Sequence, residues 1–250
     1  MTTTALRPRP SVAALLVGLG LALVVVLALS VFFGRYPVPY WIPPDLLFTD
    51  EMAKRLVLGL RLPRLIVALS LGMSLAAAGT VMQMIFRNPL VEPGFLGVTQ
   101  GAAFGAALSI LFLGSALLVV QGVATLFALA GLAFSYTLAR YMRFGGWVLR
   151  LVLAGIAVSA LFSSGVGVLK YLADPLTQLP EITFWLLGGL WGVTWRDVWI
   201  VLPVVIPGLL IVYLMRWRLN LLSLNDETAF SLGTAPGRER TVLLVAAVAT

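Results

Sequence analysis

Cysteine and histidine are both absent from the 250 residues. No disulfide can form, and the thiolate and imidazole ligands that hold zinc, copper or haem iron are missing. Any metal handled by this chain must therefore travel as a complex whose ligands come from elsewhere, and the sequence offers no metal-binding, cofactor-binding or catalytic motif of its own. Charge is scarce too, with charged residues at 11% and hydrophobic ones at 60%. A soluble fold would have too little polar surface to cover so large an apolar share. Lysine occurs only as Lys54 and Lys170. Neither lies in a G-x-x-x-x-G-K-[ST] phosphate loop, so the chain is not itself an ATPase.

What is present is a series of long apolar runs. A bilayer core about 30 Å thick needs roughly 20 helical residues at a rise of about 1.5 Å each. Residues 11–33, 65–85, 95–113, 117–138, 147–172 and 198–215 meet that requirement, with no charge in the core of any run. The predicted fold is therefore an all-α polytopic transmembrane bundle, a single domain over 1–250, with six complete spans. Residues 241–250 are apolar but half the needed length, and are expected to be a seventh span cut off mid-helix in a C-terminally truncated chain. The first run is too long for a signal peptide, lacks a small-residue cleavage site and should stay as an anchor.

Basic residues set the orientation. With Arg7 and Arg9 on the cytoplasmic side, alternate loops place Arg87, Arg140, Arg143, Arg150, Arg216, Arg218, Arg238 and Arg240 inside. Arg35, Lys54, Arg55, Arg61, Arg64, Lys170 and Arg196 then fall outside, where acidic residues nearly balance them. The net charge of +7 is mostly a topology signal. No basic stripe is interleaved with aromatics, so nucleic acid is not an expected partner.

The spans differ in how they can pack. Gly97, Gly101 and Gly105 recur every four residues and let a neighbouring backbone approach closely. Gly155, Ser159, Ser163 and Gly167 repeat the pattern in the fifth span, where either helix packing or the lining of a passage fits. Gln83, Gln100 and Gln121 are explained by hydrogen bonding between helices.

The loops carry more. The external loop 34–64 opens on the proline-fixed run Tyr36-Pro37-Val38-Pro39-Tyr40-Trp41-Ile42-Pro43-Pro44, whose aromatics suit the membrane interface. A short helix is expected over 51–60, ending at Arg61-Leu62-Pro63-Arg64. Both arginines fit either snorkelling at the start of the second span or docking of an acidic external partner. Inside, Arg87-Asn88-Pro89-Leu90-Val91-Glu92-Pro93-Gly94 reads as a rigid turn. After Asp174-Pro175 and Pro180, residues 184–190 form an apolar piece too short to cross. The cytoplasmic loop 219–240 contains a bounded helix: cap residues first, acids in the opening turn and Gly233 where it would end. Its apolar Leu224, Phe230 and Leu232 fit either a groove on a soluble partner or the chain's own spans.

Several motifs in one order resemble a known family. These are Leu60-Arg61-Leu62-Pro63-Arg64, Arg87-Asn88-Pro89-Leu90, Pro93-Gly94-Phe95-Leu96-Gly97, Leu153-Ala154-Gly155, Phe184-Trp185-Leu186-Leu187-Gly188-Gly189-Leu190 and Leu219-Asn220-Leu221-Leu222-Ser223-Leu224. Together they are similar to the permease subunits of iron-siderophore, haem and cobalamin ABC importers, over roughly 60–233. The resemblance implies ten transmembrane helices per subunit, a homo- or heterodimer with a second permease subunit, and a place in the cytoplasmic (inner) membrane among its lipids. It also implies a cytoplasmic ABC ATPase dimer and an extracytoplasmic substrate-binding protein as partners, with a metal chelate as cargo. On this chain, Asp226, Glu227, Thr228, Ala229, Phe230, Leu232 and Gly233 would form the coupling helix that docks on the ATPase. Arg61 and Arg64 would meet the binding protein, Asn88 and Leu90 would sit at the cytoplasmic gate, and the Gly155, Ser159, Ser163, Gly167 face would line the pathway. Trp147 and Val148 depart from the family's frequent small hydroxyl residues before the fifth span.

Two other classes fare worse. An ion-coupled secondary transporter would use an intramembrane carboxylate, histidine or lysine, and the spans hold none. An intramembrane enzyme would need an activated nucleophile, and Ser159 and Ser163 have no base near them. The expected function is a permease that moves ferric siderophores, or a related chelate, by alternating access while a separate subunit hydrolyses ATP.

Overall fold

The computed structural model describes residues 11–36 and 40–249. Arg7, Arg9, Pro37, Val38, Pro39 and Thr250 lie outside the described residues. The chain forms two compact units, one of residues up to 69 with 190–199 and one of 70–189 with 200–250.

The first unit opens with α1 (Val12–Phe32), apolar all round and without a buried residue, as suits a helix facing lipid. Ser11 caps it by accepting from the Ala14 N–H at 3.2 Å. Its far end is closed from outside: the Ile42 N–H donates to the Phe32 carbonyl at 2.9 Å and the Arg61 guanidinium to the Val31 carbonyl at 2.8 Å. A two-residue antiparallel pair follows, β1 (Phe33–Gly34) with β2 (Tyr40–Trp41). Next come α2 (Leu46–Thr49) and α3 (Glu51–Arg55). Asp50 caps α3 through the Met52 N–H at 2.8 Å and is itself held by the Tyr36 hydroxyl at 2.7 Å. Those two hydrogen bonds, Tyr36 first, hold its carboxyl below the ordinary range. Ile42, Ala53 and Val57 form the small core beneath.

The expected stop of the 51–60 helix at Pro63 is corrected. Leu56–Arg61 is a π-helix that joins α3 directly to α4 (Leu62–Phe86), making one apolar helix of 36 residues, Glu51–Phe86. The Leu62 N–H reaches back to the Val57 carbonyl. That wide turn makes room where a proline in a regular α-helix would clash with the carbonyl four residues back. The Leu58 carbonyl, whose helical donors would be Leu62 and Pro63, is thereby left over. It accepts instead from the Trp195 indole N–H at 2.8 Å.

The second unit holds α5 (Val98–Leu108) with a π-helical end (Ser109–Leu113), α6 (Leu117–Tyr141), α7 (Trp147–Leu172) and α8 (Gln178–Leu187). It continues with the body of α9 (Trp195–Leu214), then α10 (Arg216–Leu222), α11 (Asp226–Ser231) and α12 (Pro236–Ala249). Five helices among the described residues are long and apolar enough to cross a membrane: α1, the Glu51–Phe86 helix, α6, α7 and α9. The third expected span is shorter than read, Val98–Leu113, because the preceding turn consumes Phe95, Leu96 and Gly97. The α8 helix begins before Pro180, whose missing N–H falls in the first turn where no helical partner exists. Helix α12 starts five residues earlier than the apolar run at 241.

Small residues set the packing of α5, α6 and α7. A methyl on Gly101 would overlap the Phe127 carbonyl, and one on Gly105 would stand 2.7 Å from the Val123 carbonyl. The glycine stripe is thus a seam against α6, where backbones meet without side chains between them. A methyl on Gly131 would strike the Gly97 carbonyl, so α6 returns the same favour at its middle. The expected interhelical bonds of Gln83, Gln100 and Gln121 are not formed among the described residues. Ser135, fully buried on α6, ties that helix instead to the turn before α5 by donating to the Leu96 carbonyl at 2.7 Å.

Candidate functional site

Helix α4 ends in a Schellman turn: Asn88 N–H donates to the Gln83 carbonyl and Arg87 N–H to the Met84 carbonyl. The left-handed position belongs to Arg87, with φ 51°, where glycine is usual. Its guanidinium explains the exception. It donates to the Leu224 carbonyl, to Asn225 Oδ1 at 3.2 Å, and pairs with Asp226 at 3.5 Å. Asn88 Oδ1 accepts from the Leu90 N–H at 3.0 Å, closing the turn as the prolines predict.

Asp226 opens α11 and is gripped a second time. Arg240 of α12 donates to both of its oxygens, at 3.0 and 2.7 Å. Those bonds, then the charges of Arg240 and Arg87, hold the Asp226 carboxyl below its ordinary range against the opposing effect of burial. The Arg240 side chain is only 5% exposed and lies 5.0 Å over the Trp147 ring. Trp147, which opens α7, stacks on Phe86 at 6.5 Å. Nearby, Arg218 of α10 pairs with Glu239, which also accepts from the Ala235 N–H.

The far end of α11 is a second Schellman turn, with Gly233 at φ 83° and the Thr234 and Gly233 N–H groups donating to the Ala229 and Phe230 carbonyls. Thr234 Oγ1 donates to the Ala229 carbonyl as well, at 2.6 Å. Ala229 is buried while Phe230 is 72% exposed, at the rim of a pocket shared with Met215, Arg218, Thr234 and Arg238. Glu227, Thr228 and Leu232 are exposed. The expected helix is present over Asp226–Ser231, with Gly233 just past its end, but Asn225 before it makes no side-chain cap and accepts from Arg87 instead. Its acids differ in role: Glu227 faces out, whereas Asp226 is tied to its own chain.

The remaining site residues divide. Leu90 is 87% exposed on its turn, and Asn88 is exposed beside it. Arg64 is exposed, and among the described residues its side chain has no hydrogen-bond partner. Arg61 is half-buried and turned onto the Val31 carbonyl, which makes it an end-cap of α1. Gly155 is buried, a methyl there standing 2.9 Å from the Phe95 carbonyl, so packing accounts for it. Ser163 and Gly167 are exposed and Ser159 half-buried. Among the described residues no cluster of acidic side chains is placed to hold a metal ion.

Residues missed by sequence reasoning are Arg87 and Arg240 as partners of Asp226. The one available signal was the pair of internal loops that the charge rule placed on the same side.

Comparisons with known proteins fit this geometry. The chain is similar to the molybdate import system permease protein MolB of Haemophilus influenzae, 38% identical over 229 residues, 88% of this chain and 66% of that one. It is similar to the vitamin B12 import system permease protein BtuC of Pectobacterium atrosepticum, 38% identical over 240 residues, 96% of this chain and 69% of that one. With the Fe(3+) dicitrate transport system permease protein FecC of Escherichia coli it shares 37% identity over 205 residues, 78% of this chain and 59% of that one. The chain thus spans less than two thirds of the length of the first and third of these. A solved inward-facing structure of a metal-chelate type ABC transporter superposes with TM-score 0.83 at 34% identity, covering 94% of this chain and 73% of that one. Residues 21–250 match the FecCD transport family, and the chain belongs to that family.

Proposed function

We infer that this chain is the permease part of an ATP-binding-cassette importer in the cytoplasmic membrane, carrying a metal chelate inward by alternating access. The observation that carries the reading is α11, a short helix held by two arginines, with Phe230, Glu227 and Leu232 left outward. A helix so fixed and so exposed suits a groove on a soluble partner, here a cytoplasmic ATPase dimer that closes on ATP. The chain carries no phosphate loop, so hydrolysis belongs to that partner.

The cargo class is an iron-siderophore complex or a related chelate such as haem or cobalamin. A pathway lined by Ser159, Ser163 and Gly167 is neutral and smooth, and offers a bulky complex few strong contacts that would trap it. A second permease subunit would complete that pathway, since Ser163 and Gly167 lie open on α7 and Ser159 is half-open beside them. Arg64 is the better candidate for docking an acidic patch on the external binding protein, because Arg61 is occupied.

The test is recovery of partners from membranes carrying the full-length protein, with wild-type α11 or with 226–233 replaced by a Gly/Ser loop. Recovery of an ATPase with the wild-type helix alone supports the reading. Recovery with neither version would return an ion-coupled secondary transporter to first place.

A further inference from the structure

Asp226 begins the helix proposed to touch the ATPase, yet its carboxylate is spent on its own chain. Arg240 holds both oxygens from α12, and Arg87 adds a third grip from the turn after α4. Arg240 is almost wholly buried under this contact and over Trp147, the first residue of α7. Three separated parts of the second unit therefore meet at one carboxylate, the turn after α4, α11 and α12, and Arg240 extends the contact to the start of α7. A helix of six residues has too few internal hydrogen bonds to hold its own shape or direction. Something outside it must fix both.

We propose that Asp226 is a positioning residue, an ionic clamp that makes α11 one body with α12 and the 87–94 turn, so that displacement of α11 by its partner is passed to α4 and α7 rather than absorbed in the loop. This rests on the importer reading for its consequence, though the clamp itself is a property of this chain alone. Bidentate carboxylate–guanidinium pairing suits the role because it fixes angle as well as distance. The strained left-handed Arg87 fits too, since its backbone geometry places the guanidinium where Leu224, Asn225 and Asp226 all meet it.

These 250 residues carry no cysteine, so Thr228→Cys, with any cysteine beyond them replaced by serine, gives one spin label on the exposed face of α11. Asp226→Asn removes the carboxylate charge and leaves the buried Arg240 cation without its counter-charge. Asp226→Asn with Arg240→Met removes both, and its thioether packs on Trp147. In detergent-solubilised full-length protein, the label should be ordered in the wild type and mobile in both variants. In the reconstituted complex, transport per ATP hydrolysed should fall at least tenfold, on the order of 1.4 kcal/mol of coupling or more. The double variant should be no worse than the single one, since the two residues act through each other. A wild-type line shape in the double variant overturns the clamp. Transport per ATP within twofold of wild type, or a loss confined to ATPase recovery, overturns its role in transmission. Failure of the wild-type chain to recover any ATPase sinks the importer reading and the transmission role with it, while the label still judges the clamp.

Discussion

The indole N–H of Trp195 donates to the carbonyl of Leu58, an oxygen that the π turn and Pro63 together leave without a helical donor. A tryptophan far along the chain thus completes a helix that a proline interrupts. Trp195→Phe should cost about 1 kcal/mol in unfolding measured in detergent, the usual net worth of one hydrogen bond. In a Pro63→Ala background, position 63 regains its N–H and the cost should shrink. An equal cost in both backgrounds would show that the indole acts by packing alone.

Two glycines separate packing from propensity. Gly101 lies against the Phe127 carbonyl, whereas a methyl on Gly122 meets nothing within 4 Å. Gly101→Ala should destabilise by about 1–3 kcal/mol through overpacking. Gly122→Ala should be neutral or stabilising by up to about 1 kcal/mol, the helix-propensity difference. The same unfolding assay decides, and equal effects would deny the seam.

The Asp226 pair sets a pH response. Pairing favours the ionised carboxylate, so its contribution is complete above the ordinary aspartate value and is lost as pH falls through the lowered one. The order of a label at 228 should stay constant down to about pH 4, the ordinary aspartate range, and fall only below it. Arg240→Met should move that transition upward. A wild-type transition above the ordinary range would contradict the pairing.

Arg64→Glu should weaken association of the external binding protein about tenfold at low salt and less at high salt, as screening of an exposed charge requires. Arg61→Glu should chiefly lower stability, because its guanidinium closes the end of α1. Unchanged affinity of the Arg64 variant at low salt would remove the docking assignment.

Glu227 and Phe230 face outward from the same short helix. Replacing both by Ala should leave the permease folded and reduce uptake at least tenfold through loss of ATPase engagement, as a buried aromatic anchor at an interface implies. Wild-type uptake by the double variant would withdraw α11 from the partner surface.

Much of this was legible in the residues. Apolar run length located α1, α6, α7 and α9 to within a few residues, because helix length across lipid is fixed by thickness rather than by tertiary context. Gly233 announced the end of α11, since few residues but glycine adopt its backbone. Arg87 was illegible for the converse reason: a residue that ordinarily avoids the left-handed region holds it here, and contacts more than a hundred positions away are what keep it there. Pro63 misled because a stop signal in a regular helix is tolerated after a π turn, and no residue type marks such a turn. The 159, 163 and 167 positions were read together with Gly155, yet only close backbone approach could separate the buried member from the open ones.

The brevity of α5 bears on how the protein is made. Its 11 α-helical and five π-helical residues reach about 24 Å at most, short of a bilayer core. Its Gly101, Ala103, Gly105, Ala106 and Ala107 are buried against neighbours instead of lipid. Such a segment is a poor client for stepwise insertion as it leaves the ribosome. The glycine seam against α6, rather than its own length, buries it, so the α5–α6 hairpin is the expected unit of insertion.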